Sequence, residues 1–240
     1  MVIFHQLIIA RKLSMVLSED NILPSIEIDP AGPTQRTIIW LHGLGADGSD
    51  FVPVASELHL PAELGVRFVF PHAPIMPVTI NNGYEMRAWF DIPAMAIHEN
   101  IDEKGIAKSV ESLKLLIKRE TSRGILTKHI ILAGFSQGAM IALTAGLNYP
   151  DPLGGILALS GCLPLANKVF EKASAAHQHI PIFIGHGTED TIVPYALGKA
   201  TYVALKQRGY PVSWHSYPMP HSVSGEEIRD IRQWIQTVWR

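Results

Sequence analysis

Six apolar, β-branched runs recur along the chain, and no other feature limits its folding as strongly. They are RTIIWLHG (36–43), GVRFVFPHAP (65–74), KHIILAGFS (128–136), GGILALSG (154–161), IPIFIGHG (180–187) and YPVSWHSYP (210–218). Consecutive apolar side chains point to opposite faces of a strand, so these strands are apolar on both sides. Such strands belong to a sheet covered on both faces, which is the habit of parallel sheets. Amphipathic segments lie between them. SDFVPVASELHL (49–60) opens on Ser49 and Asp50 as cap candidates, and AMIALTAGLNY (139–149) follows the third run. IDEKGIAKSVESLKLLIKRETSRG (101–124) places Ile106, Val110, Leu113 and Ile117 on one helical face and stops at Gly124. YALGKATYVALKQRG stops at Gly209, and SGEEIRDIRQWIQTVW spaces Ile228, Ile231, Trp234, Ile235 and Val238 for a helix. Strand and helix alternate throughout, so the expected fold class is α/β: a mostly parallel sheet between two helical layers.

Length and composition agree with one domain. The chain has 240 residues, 47% of them hydrophobic, which suffices for a single large core. A formal net charge of −2 supplies no electrostatic reason to bind nucleic acid. Cys162 is the only cysteine, so no internal disulfide can form, and a reducing, cytoplasmic setting is expected. No apolar run reaches the roughly 18 residues of a membrane span. The N-terminal MVIFHQLIIARKLSM carries Arg11 and Lys12 after its apolar part, where a signal peptide would carry charges before it. Residues 1–19 are therefore expected to be a leader or a poorly ordered extension, with Met15 an alternative start, and residues 20–240 the domain. Residues 74–104 are Pro-rich, aromatic and weakly periodic, and read as an insertion over the site.

One turn suggests chemistry. LAGFSQG (132–138) ends an apolar run and precedes a helical one, the setting of a nucleophile elbow with Ser136 at its tip. Side chains two residues before and after such a serine would collide, and Gly134 and Gly138 stand there. A glycine-softened turn with no catalytic role fits the same pattern. A serine hydroxyl needs a base, and in an α/β-hydrolase the chain order is serine, acid, histidine. GHGTEDTIVP offers Glu189 and Asp190 after one strand, and YPMPHSVSGEE offers His221 after the last. Glu189 rivals Asp190, while His186 and His215 read as structural. An oxyanion also needs donors. The N–H of Gln137 is one candidate, and Leu44 in the Gly-rich LHGLGADG loop can present the other. A Gly-rich loop after a strand also serves nucleotide sites, but no lysine accompanies this one.

Six blocks together carry a resemblance. LHGLGADGSDF, RAWFDI, LAGFSQG, ILALSGCLP, GHGTEDTIVP and YPMPHSV, in this order, resemble the carboxylesterase family that includes acyl-protein thioesterases and lysophospholipases, from about residue 20 to the C-terminus. The resemblance implies an α/β-hydrolase fold, with Ser136 as nucleophile, Asp190 as acid and His221 as base. It places the oxyanion donors on Leu44 and Gln137, and implies neither metal nor organic cofactor. Ala139 departs from the family's usual second glycine, and little effect is expected. In relatives the region of residues 74–104 helps shape an acyl groove, which casts Ile75, Met76 and Trp89 as groove lining or as ordinary residues buried under a loop. The expected reaction is cleavage of carboxylic esters or thioesters through an acyl-enzyme. Its substrates would be small esters or acylated proteins or lipids, lysophospholipids among them. A non-catalytic acyl-binding protein is the rival class, and the sequence leaves a homodimer open.

Overall fold

A computed structural model of the chain describes residues 22–93 and 101–240. The expected N-terminal leader lies outside the described residues. Seven strands form one sheet in the order β1-β3-β2-β6-β7-β8-β9. They are β1 (Ser25–Ile28), β2 (Arg36–Leu41), β3 (Val66–Pro71), β6 (Ile130–Phe135), β7 (Gly155–Leu159), β8 (Ile182–Gly187) and β9 (Val212–Tyr217). All pair in parallel except β1, which runs antiparallel to β3 at the edge. The six apolar runs are the six parallel strands. β1, SIEI, is four residues of ordinary alternation and carries no comparable signal.

Alternation along each strand divides the core in two. Ile38, Trp40, Phe68, Phe70, Ile131, Leu157, Leu159 and Phe183 face one side, under α1 (Val52–Glu57) and α6 (Gly225–Val238). Ile39, Leu41, Val69, Leu132, Ile156, Ile182 and Ile184 face the other, under α2 (Glu103–Ser122), α3 (Gln137–Asn148), α4 (Ala166–Glu171) and α5 (Tyr195–Gln207). The faces expected of α2 and α6 are the ones packed inward. Ile106, Val110, Leu113 and Ile117 are buried, as are Ile228, Ile231 and Ile235. Gly124 and Gly209 follow their helices at φ +94° and +81°, a left-handed conformation that glycine adopts without a Cβ clash. Among the described residues no helix is long and apolar enough to cross a membrane.

Two local expectations need correction. The segment from residue 49 is not one helix capped by Ser49 or Asp50. Asp47 is the cap of a short 3₁₀ turn, Gly48–Phe51, and α1 starts only at Val52. Asp47 accepts from Ser49 N–H at 2.7 Å while Asp50 accepts from Asp47 N–H at 2.8 Å, a reciprocal box that needs the acid one turn earlier. The weakly periodic stretch after residue 74 contains a hairpin, β4 (Ile75–Val78) with β5 (Tyr84–Arg87), too short and too rich in Met and Pro to show alternation.

The edge strand is fastened by charge. Glu120 of α2 is fully buried and accepts from Thr37 Oγ1 and Arg67 Nη1, both at 3.1 Å. Arg119 and Arg123 bind it at 3.2 and 3.1 Å and continue to Glu27 of β1 at 2.8 and 2.7 Å. Removing one member of a buried charge network strands the others. Glu120→Ala is predicted to lower stability by about 2–3 kcal/mol, somewhat less than for a wholly dry network because the arginines reach solvent. Equilibrium urea unfolding checks this, and an unshifted midpoint contradicts it.

Candidate active site

The carboxyl ends of β2, β6, β8 and β9 meet at one place, and their loops carry every residue singled out for chemistry. Ser136 caps α3 directly after β6, at φ 55° and ψ −120°. Left-handed backbone is costly for a residue with a Cβ, so the surroundings must enforce it. They do so by close approach. A Cβ on Gly134 would run into the carbonyl of Gly138, and a Cβ on Gly138 would run into the carbonyl of Leu41. Only glycine lets β6, the start of α3 and the end of β2 come this near. Ser136 N–H is then held by Leu159 O at 2.9 Å. Ala139 has its Cβ against Gly161, where an added Cβ would lie 2.6 Å away, so Gly161 makes the room that the methyl of Ala139 uses.

The acid loop holds the two neighbours differently. Asp190 is buried, whereas Glu189 is exposed. Asp190 Oδ1 accepts from the N–H groups of Ile192 and Val193, each at 2.9 Å. Its Oδ2 accepts from His221 Nδ1 at 2.7 Å, which leaves Nε2 of His221 as the free ring nitrogen. His186 braces this loop by donating Nε2–H to Val193 O at 2.8 Å, and burial pulls its pKa down. His215 stacks on Phe183 and lies 3.3 Å from Asp230, away from the triad candidates. His221 packs its ring on Phe135, centroids 4.7 Å apart. Ser136 and His221 line one cavity of about 570 Å³ with Gly43, Leu44, Phe51 and Ile192. No hydrogen bond links the two side chains among the described residues, a looseness usual before substrate binds.

Leu44 and Gln137 flank Ser136 with N–H groups that donate to nothing among the described residues. The loop bearing Leu44 is fixed by a network that the sequence does not announce. His42, fully buried, accepts from Ala73 N–H at 3.0 Å through Nε2, so its proton sits on Nδ1, which donates to Gly43 O at 2.7 Å. Burial depresses its pKa and keeps it neutral. Trp89 donates Nε1–H to His42 O at 2.8 Å. The Gln137 side chain accepts from Trp89 N–H at 3.1 Å and donates to Phe90 O at 2.9 Å. Gly45 N–H adds a bond to Arg87 O at 2.9 Å. A histidine closing an apolar strand, WLHG, was the one available signal.

Of the three residues offered as groove lining, Trp89 is 2% exposed and committed to this network. Ile75 is 63% exposed on the hairpin, Met76 is half-buried beside it, and none of the three borders the cavity at Ser136. Gly43-Leu44-Gly45-Ala46-Asp47-Gly48 also has the G-x-G-x-x-G spacing of dinucleotide loops. Here the turn that follows has its N–H groups taken by Asp47 and Asp50, whose carboxylates repel a phosphate.

Known proteins resemble this chain in sequence and fold. The family model described as phospholipase/carboxylesterase matches residues 24–239. Acyl-protein thioesterase 1 of Yarrowia lipolytica is 35% identical over 218 residues, covering 89% of this chain and 96% of that protein. Carboxylesterase SOBER1 of Arabidopsis thaliana is 34% identical, covering 83% and 89%. The crystal structure of SOBER1 superposes with a TM-score of 0.81 at 33% identity, covering 86% of this chain and all of that one. Acyl-protein thioesterase 2 of Zea mays superposes equally, at 0.81 and 28% identity, over 91% of this chain. The α/β-hydrolase fold expected from the sequence is the fold observed.

Gly138→Ala forces the end of β2 away from α3 and is predicted to cost about 1–3 kcal/mol, as overpacking does. Thermal unfolding beside Gly32→Ala, where a Cβ meets nothing within 4 Å, measures it. Equal melting of the two variants contradicts the steric account.

Proposed function

The chain belongs to the phospholipase/carboxylesterase family, and on that premise we propose that it hydrolyses acyl esters and thioesters through Ser136, Asp190 and His221. The observation that carries this reading is the 2.7 Å Asp190–His221 bond, made on the cavity wall that also presents Ser136 from a strained turn. Asp190 fixes the Nδ1–H tautomer, so Nε2 of His221 is the base that takes the Ser136 proton. Ser136 Oγ attacks the acyl carbon, and the carbonyl oxygen becomes an anion facing the N–H groups of Leu44 and Gln137. Collapse of the tetrahedral species breaks the ester or thioester bond, and His221 returns the proton to the departing alcohol or thiol. Water, deprotonated by the same nitrogen, then releases the acid from Ser136.

The cavity lining supports a choice of substrate class within this reading. Phe51, Pro53, Val54, Phe135, Ile192 and Ile228 give it an apolar lining, and Asp50 and Glu57 stand at its rim. Apolar walls suit a hydrocarbon chain, and acidic groups favour a neutral or basic carrier over a bare phosphate. An acyl chain joined to a protein thiol meets both conditions, and protein S-acyl thioesters are the class we put first. The hairpin and residues 88–93 form the outer support of this end through Trp89, Phe90 and Arg87.

Ser136→Ala is predicted to lower kcat by about 10⁴-fold or more with melting little changed. Steady-state assays on esters and thioesters of rising acyl length, beside a lysophospholipid, check both activity and class. Near-normal turnover in the variant contradicts the triad, and an optimum confined to two to four carbons contradicts the thioesterase reading.

A further inference from the structure

Behind the triad, in the layer between α6 and the sheet, lies a carboxyl group that the reaction does not use. Glu227 occupies the third position of α6, after the cap Ser224, whose Oγ accepts Glu227 N–H at 3.2 Å. In a surface capping box such a glutamate reaches back through solvent to the cap N–H. Here the residue is 0% exposed, and among the described residues its carboxyl oxygens make no well-formed hydrogen bond, the cap N–H of Ser224 being the one donor that pulls on them. β8 makes space for it. A Cβ on Gly185 would run into Glu227 Oε1, so the strand gives up a side chain where the acid enters.

A carboxylate stripped of both water and donors is among the costliest groups to bury, and the group avoids that cost by keeping its proton. Burial pushes the Glu227 pKa up to about 8, and Asp230 pushes the same way against the pull of Ser224 N–H. Asp230 on its own helix and Tyr217 on β9 act on it, and Glu226 precedes it in the chain. Tyr217 donates its hydroxyl to Asp230 at 2.9 Å, and His215 lies 3.3 Å from the same carboxylate. β8 faces it with Gly185, beside Phe183. Among the described residues no lysine or arginine stabilises the charged form.

Its position matters because both catalytic loops start here. β8 leads into the loop of Asp190, and α6 begins four residues after His221. The loops are tied by Thr188 N–H to Tyr217 O at 2.8 Å and Glu189 N–H to Met219 O at 3.1 Å. A shift of the first turn of α6 on β8 therefore moves His221 against Asp190. We propose that Glu227, as an uncharged acid seated on Gly185, is a positioning residue that sets the His221–Asp190 alignment. The proposal rests on the triad reading above.

The test compares the parent with Glu227→Gln, which keeps the shape and cannot ionise. At pH 7 the two are expected within about twofold in kcat. Above pH 8 the parent should lose kcat at nearly constant KM while the variant holds, a ratio of roughly fivefold by pH 9.5. Superimposable pH–rate profiles overturn the proposal. A second arm needs no catalysis and is run in the Ser136→Ala background. The folded pKa of about 8 lies above the ordinary 4.5, so the folded state holds an extra proton between those values. Its stabilising effect is whole below about 4.5 and is lost as pH rises through about 8. Glu227→Gln should thus gain melting temperature relative to the parent from pH 5 to 8 and level off beyond. A pH-independent difference overturns the proposal. Turnover surviving in Ser136→Ala would instead count against the triad, and the melting arm would still judge Glu227.

Discussion

Two backbone carbonyls stand where Cβ atoms would be, Gly138 O over Gly134 and Leu41 O over Gly138. This contact between β6, α3 and β2 is what the end of the sheet bearing Ser136 depends on. It bends the chain sharply enough to hold Ser136 at positive φ, and it brings the loop after β2 beside the start of α3. For that reason the loop bearing Leu44 lies beside the turn bearing Gln137, although the two residues are 93 positions apart in the chain. The strain is offset by the parallel ladder on either side, where β2, β6 and β7 bury nearly every side chain.

Around that contact the polar groups are paired with unusual economy. His42, Trp89 and Gln137 spend their hydrogen bonds on backbone atoms of the loops that flank the serine, and the N–H groups of Leu44 and Gln137 are among those left without an acceptor among the described residues. Asp190 likewise uses one oxygen on its own loop and one on His221. Preorganisation of this kind lets a site stabilise developing charge without first rearranging. Glu227 departs from the pattern, since it is buried with no well-formed hydrogen bond among the described residues, and burial pushes its pKa up.

Much of this was legible in the residues, because strong signals are local or periodic. Runs apolar on both faces identified five of the six parallel strands, while β9 alternates Val212 and Trp214 with Ser213 and His215, and the Gly-x-Ser-x-Gly turn sits at the end of β6. Acid and histidine followed in the order the fold requires. Asp190 and Glu189 could not be separated by composition, because burial and two N–H donors distinguish them. Trp89, offered as groove lining, spends its N–H groups on contacts 47 and 48 residues away, which no local pattern reports. Glu227 reads as an ordinary capping glutamate until Gly185, 42 positions earlier, is found beneath it. Short β1 and the hairpin lacked the length for periodicity to show.

The central claim is that Ser136 is a nucleophile activated by its neighbours. Reaction with a fluorophosphonate followed by intact-mass measurement and peptide mapping tests it most directly, since only an activated serine forms the phosphonyl ester at useful rates. The account predicts one adduct per chain, on the peptide carrying Ser136, and none in Ser136→Ala. An adduct on another residue, or an unlabelled folded protein, would contradict it.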